Sequence, residues 1–141
     1  MKKYLGRITL VIGLPGSGKS HYVKQHLGNG VVYDLDHIAA ALRLSEPHSG
    51  RHEAARMISN DLLLDFLAKA KRHTNNIYVI RTAPSVFEVS QISPDKILVC
   101  RGSYNITKRP DYNPVNRYEY MTKIQTVINY AKAENISLEE I

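Results

Sequence analysis

Short runs of β-branched and aliphatic residues alternate along this chain with stretches whose apolar positions recur every three to four residues, the pattern of strands alternating with helices. Residues 8–12 form the first apolar run, and residues 21–27 continue as a helix that opens at Gly18 or Lys19 and stops at Gly28. Val31-Val32-Tyr33 predicts a second strand ending in Asp34-Leu35-Asp36, with Asp36 as the cap of a short helix through about Leu42. Residues 43–50 read as a loop punctuated by Pro47 and Gly50. An amphipathic helix follows over 51–71, its apolar face drawn through Ala54, Ile58, Leu62, Phe66 and Ala70. Residues 77–80 and 97–100 predict the third and fourth strands, with a short helical piece near 85–90 between them. Residues 101–113 are polar, basic and tyrosine-containing without a period, a loop or lid. Asn113-Pro114 starts a last helix, with Tyr118, Met121, Ile124, Ile128 and Ala131 on one face. Residues 137–141 then read as the start of another helix, one that a partner chain or further domain would complete.

This order predicts an α/β fold in three layers, a short parallel sheet of about four strands with helices on both faces. Such folds bind ligands at the carboxyl ends of their strands, which here are Gly13, Asp34 with Asp36, Arg81 and Arg101, all on one rim. At 141 residues the chain fits a single domain over 1–141. No apolar stretch approaches the roughly 18 residues of a membrane span. Lys2 and Lys3 resemble a signal-peptide start, but the apolar run after them is shorter than the roughly 7 residues required, so a cytoplasmic protein is expected. The lone Cys100 fits a reducing compartment and argues against a disulfide or zinc site. A net charge of +6 points to an anionic partner.

The most specific chemistry lies directly after the first strand. Gly13-Leu14-Pro15-Gly16-Ser17-Gly18-Lys19-Ser20 is a complete phosphate-binding loop. Its glycines allow backbone conformations in which several N–H groups converge on phosphate oxygens, and the helix it opens adds its positive end. Lys19 is expected to bridge the β- and γ-phosphates of ATP and Ser20 to ligate Mg²⁺. Asp34 and Asp36 stand two apart, so on an extended chain they project the same way and share two jobs, holding the metal and orienting an attacking hydroxyl. The competing assignment makes them a turn residue and a helix cap. Neither later strand ends in an aspartate for the metal, and the arginines there argue against a mechanical ATPase. His48 and His52 are four apart, but Pro47 and Gly50 break a helix through them and no third ligand is near, so a polar loop is expected rather than zinc binding.

The loop with Asp-Leu-Asp after the second strand resembles P-loop kinases of the P-loop NTPase fold, and within them the bacteriophage polynucleotide 5′-hydroxyl kinases, which carry G-x-P-G-S-G-K-S. The likeness is close over residues 1–36 and architectural beyond. It implies that Asp36 accepts the acceptor's proton, with Asp34 the second match, and that Arg109 or Arg117 of a lid spanning about 101–117 clamps the transferred phosphoryl group. Two positions depart from the pattern: Ala39 stands where those kinases have arginine, Arg43 being nearest, and His21 replaces a common threonine. The expected function is ATP- and Mg²⁺-dependent phosphoryl transfer to a hydroxyl, catalysed by Lys19, Asp36 and Arg109. The acceptor is a nucleic-acid 5′ end or a nucleotide-like molecule. The alternatives are a nucleoside or small-molecule kinase and a non-catalytic ATP-binding module serving a nucleic-acid-handling partner. The cations and tyrosines of 101–117 suit a phosphate clamp, a single-strand groove or a solvated loop equally.

Overall fold

The computed structural model describes residues 3–47, 50, 52–101 and 114–141. Five strands, β1 (Arg7–Gly13), β2 (Val31–Asp34), β3 (Asn76–Ile80), β4 (Lys96–Cys100) and β5 (Ser137–Glu140), form one parallel sheet in the order β2-β3-β1-β4-β5. Between them run α1 (Lys19–His26), α2 (Leu35–Ala41), α3 (Glu53–Ala70), α4 (Val86–Ile92) and α5 (Pro114–Ala133).

The sheet is buried on both faces because its strands are apolar at successive positions, and the two-residue period divides them cleanly. Ile8, Leu10 and Ile12 of β1, with Ile77, Val79, Ile97 and Val99 beside them, face a large core completed by α3, α4 and α5. Val11, Tyr78, Ile80, Leu98 and Cys100 face the other way, onto Val23 of α1. The three-layer α/β arrangement is therefore as the sequence predicts, with the phosphate loop hung from the central strand.

Four local expectations are corrected. The end of the chain is not a helix: Ser137–Glu140 is a fifth strand beside β4, where Glu139 pairs with Lys96 at 2.5 Å and Glu140 with Arg101 at 2.9 Å. Its glutamates serve cross-strand ion pairs rather than a helical first turn. The cap of α2 is Asp34, whose Oδ1 accepts the Asp36 N–H at 3.1 Å, so the strand ends earlier than a capping Asp36 requires. The buried face of α3 is Ala55, Ser59, Leu63, Leu67 and Ala70, while Ile58 and Leu62 are exposed, as is Ala54. Ser59 makes this face possible despite being polar, because its hydroxyl donates to the Leu35 carbonyl at 3.2 Å. On α5 the core face begins at Ile124 and includes Val127, and Tyr118 and Met121 point to solvent.

Candidate active site

The loop between β1 and α1 needs two backbone liberties that only glycine gives cheaply. Gly18 caps α1 at φ 93°, ψ 17°, and at Gly13 an added Cβ would sit 2.6 Å from Ser17 Oγ and 2.7 Å from the Cys100 carbonyl oxygen. Helix α1 opens without a side-chain cap and without an acidic residue in its first turn, leaving its N–H groups and positive end for an anion. Lys19 Nζ donates to the carbonyls of Gly13 at 2.7 Å and Leu14 at 2.9 Å, which folds the amine back over the loop. Ser17 Oγ is buried and has no hydrogen-bond partner among the described residues. Glycine close approaches, an open helix end, a buried hydroxyl and a held lysine fit a triphosphate.

Ser20 Oγ donates to Asp34 Oδ2 at 3.2 Å, bringing the two residues expected on the metal to one point. That same carboxylate oxygen lies 2.9 Å from His37 Nδ1. A hydroxyl and a carboxylate oxygen suit Mg²⁺, a hard cation that keeps much of its water and needs few protein ligands. Among the described residues no cluster of three or more His, Cys, Asp or Glu side chains could hold a metal by itself.

Asp34 and Asp36 do not project together, as an extended chain would have them. The strand ends at Asp34 and Asp36 is in the first turn of α2, so its carboxylate turns to Arg56 of α3, with Oδ1 3.2 Å from Nη1. Both still line one open cleft of about 980 Å³ with Lys19, Ser20 and Arg81. Arg81, just past the end of β3, is gripped by Glu88 at 2.6 Å and Asn60 at 2.7 Å. Burial lowers the Arg81 pKa from its ordinary value, and the charge of Glu88 opposes that shift. Glu88 also closes a capping box with Ser85 at the start of α4, so one carboxylate fixes both the helix and the arginine. Cys100, behind the loop, has its thiol pKa raised by burial against the lowering effect of Lys19.

Arg109 and His48 lie outside the described residues. Arg117 is exposed and absent from the cleft wall, and Arg101 is committed to Glu140. Two groups of cleft residues escape the sequence reading. Arg56 does so because it sits inside a helix whose sequence signal is its apolar face. Asn116, Glu119, Tyr120 and Lys123 of α5 also line the cleft, and their spacing of three, four and seven is a polar helical stripe visible in the sequence once the register is right.

A family profile described as an AAA domain matches residues 8–92, from the first strand through α4. The chain belongs to this AAA-domain family. Its fold is that of P-loop kinases. A chain in the solved structure of the Pnkp1/Rnl/Hen1 RNA repair complex is 17% identical with a TM-score of 0.67 over 92% of this chain and 47% of that one, so the present chain spans about half its length. A sugar kinase from Janibacter sp. HTCC2649 is 17% identical with a TM-score of 0.53, over 84% of this chain and 77% of that one. Shikimate kinase from Acinetobacter baumannii in complex with shikimate is 12% identical with a TM-score of 0.52, over 96% and 82%. No curated protein matches the sequence. Among the described residues no helix is long and apolar enough to cross a membrane.

Proposed function

We propose that the protein is an ATP- and Mg²⁺-dependent phosphotransferase whose acceptor is a hydroxyl of a nucleic-acid 5′ end or a nucleotide-like molecule. The observation that carries this reading is that the two aspartates line one cleft with different partners: Asp34 meets Ser20 beside the phosphate loop, and Asp36 meets Arg56 of α3. When bound, Mg·ATP supplies the phosphoryl group and the cation that offsets its charge. The loop amides and Lys19 hold the phosphates and stabilise charge as it develops. Ser20 and Asp34 hold the metal. Asp36 orients the acceptor hydroxyl and takes its proton. Arg56 fixes the Asp36 carboxylate and brings a guanidinium to the acceptor side, where residue 39 is alanine. Arg109, which the sequence offers as the phosphate clamp, lies outside the described residues.

The same geometry serves a small-molecule kinase, a reading supported by the sugar kinase and shikimate kinase among the similar folds. Incubation with γ-labelled ATP and a panel of 5′-hydroxyl DNA, RNA, nucleosides and sugars separates the two by where the label goes. Lys19→Ala should abolish nucleotide affinity or turnover. Asp36→Asn should cost about a hundredfold or more in transfer with ATP affinity intact, and Asp34→Asn should raise the Mg²⁺ requirement. ATP binding without label transfer to any acceptor would replace both kinase readings with the accessory module.

A further inference from the structure

The cations on the cleft side of the molecule are largely committed: Arg56, Arg81 and Arg101 each hold a carboxylate. The opposite rim, where the strands begin, is different. Residues 3–7 lead into β1 and residues 71–75 lead into β3, and the two segments are tied side by side. Gly6 N–H donates to Thr74 O at 3.2 Å, Arg7 N–H to Asn75 O at 3.1 Å and Leu5 N–H to Asn75 Oδ1 at 2.7 Å. A Cβ at Gly6 would meet the Lys71 side chain at 3.0 Å, so no gap separates the segments. Lys3, Arg7, Lys71 and Arg72 are all exposed here, and none pairs with a carboxylate among the described residues. Neither segment contains an acidic residue.

Lys71 and Arg72 follow the carboxyl end of α3, where cations complement the helix dipole. That role does not explain Lys3 and Arg7, which arrive at the same edge from another part of the chain. Two rings lie among the cations: Tyr4, 37% exposed, between Lys3 and Arg7, and the exposed His73 beside Arg72. Cations that neutralise phosphates, interleaved with rings on which bases stack, are what a single strand needs.

We propose that this rim is a nucleic-acid platform, binding single-stranded nucleic acid through its phosphodiester backbone and stacked bases, about 20 Å along β1 from the phosphate loop. It is separate from the cleft and needs no phosphoryl transfer, so its success or failure is independent of the reading given above.

Fluorescence anisotropy with a labelled oligothymidylate, titrated between about 50 and 200 mM salt, tests it. The parent protein should bind with a steep salt dependence. Arg7→Gln, Lys71→Gln and Arg72→Gln together should lower the slope by about 2 and weaken binding at the low-salt end by about a hundredfold, each neutralised cation removing roughly 0.7 of the slope. Each single variant, should the triple fold poorly by circular dichroism, should remove about 0.7 of the slope. Tyr4→Ala should weaken binding by about tenfold, the effect of unstacking one base. ATP affinity should be unchanged in all of them. The proposal is overturned by a parent that does not bind the oligonucleotide at low salt, or by neutralised variants that keep the parent's slope. It is equally overturned if Lys108→Ala with Arg109→Ala removes all binding, or if the protein sediments with phosphatidylserine vesicles but ignores the oligonucleotide.

Discussion

Gly13 is where the sheet and the phosphate loop constrain each other most, and replacing it with alanine should be unusually costly for a single methyl group. Two penalties act together. The backbone sits at φ +156°, outside the range L side chains favour, a strain of roughly 1–3 kcal/mol. The new Cβ also lands 2.6 Å from Ser17 Oγ and 2.7 Å from the Cys100 carbonyl oxygen. Ser17 can turn away, but Cys100 is the β4 partner of Gly13 in the central register, so its carbonyl moves only if the strand moves. Overpacking of this kind costs roughly 1–3 kcal/mol more, for a sum of about 2–6 kcal/mol centred near 4. Gly28→Ala is the control: its φ of +55° carries left-handed strain of roughly 1–2 kcal/mol, yet no atom lies within 4 Å of the added methyl. Urea unfolding of both variants should therefore show Gly13→Ala less stable by about 2 kcal/mol than Gly28→Ala. Calorimetry should show ATP affinity lost only in Gly13→Ala. If the two variants unfold within about 0.5 kcal/mol of each other, an ordinary surface effect, and bind ATP alike, the close approach does not shape the loop.

The register of α3 predicts that Leu63→Ala loses about 2–5 kcal/mol in denaturant melts and Leu62→Ala under about 1, the reverse of what a face through Leu62 requires. Ser59→Ala should cost about 1 kcal/mol, because the hydroxyl bonded to Leu35 is fully buried, and should slow transfer more than it weakens ATP binding. The hydrogen bond to Glu139 raises the Lys96 pKa, with burial opposing it. Because the folded value lies above the unfolded one, the pair's contribution is complete at neutral pH and is lost as the pH rises through the folded value. Both side chains are well exposed, so the effect is small, and the destabilisation measured for Lys96→Met should be flat through neutral pH and disappear only above the ordinary lysine range.

The strands and the phosphate loop are legible in the sequence because local signals agree there: a β-branched run, then glycines that only a tight anion-binding turn requires. The face of α3 is not, since hydrophobicity alone favours Ile58 and Leu62 over Ser59. The face is set by Leu63, Leu67 and Ala70 in the core, and Ser59 is tolerated among them through a hydrogen bond to Leu35, which lies 24 residues away and carries no local signature. Tyr118 and Met121 mislead in the same way, being apolar on a helix whose early turns give a polar stripe to the cleft. Among the described residues, 137–140 pair only with β4, so a composition favourable to helix is overridden by a sheet edge that local propensity cannot see. The exit of Asp36 from the strand direction follows from where β2 stops, a difference of a residue or two that no periodicity resolves.

Two halves of the cleft are held by different means, and this bears on what each can discriminate. The phosphate loop hangs from β1, whose neighbours on both flanks are strands and whose side chains are buried on both faces. A packed lattice of that kind deforms little, which suits a loop whose amides must be aimed before phosphate arrives. The wall bearing Asp36, the acceptor side of the proposed reaction, rests on α2 and α3, joined by few polar ties. Tyr33 donates its hydroxyl to Ser59 O at 2.6 Å, Ser59 donates to Leu35, and Arg56 holds Asp36. Changing one tie should re-aim that wall without disturbing the loop. A common donor chemistry can thus sit opposite very different acceptors on one fold, as the sugar and shikimate kinases of similar architecture suggest. On the proposed reading, the residues that select the acceptor of this chain should accordingly be sought on α2, α3 and the cleft-facing stripe of α5.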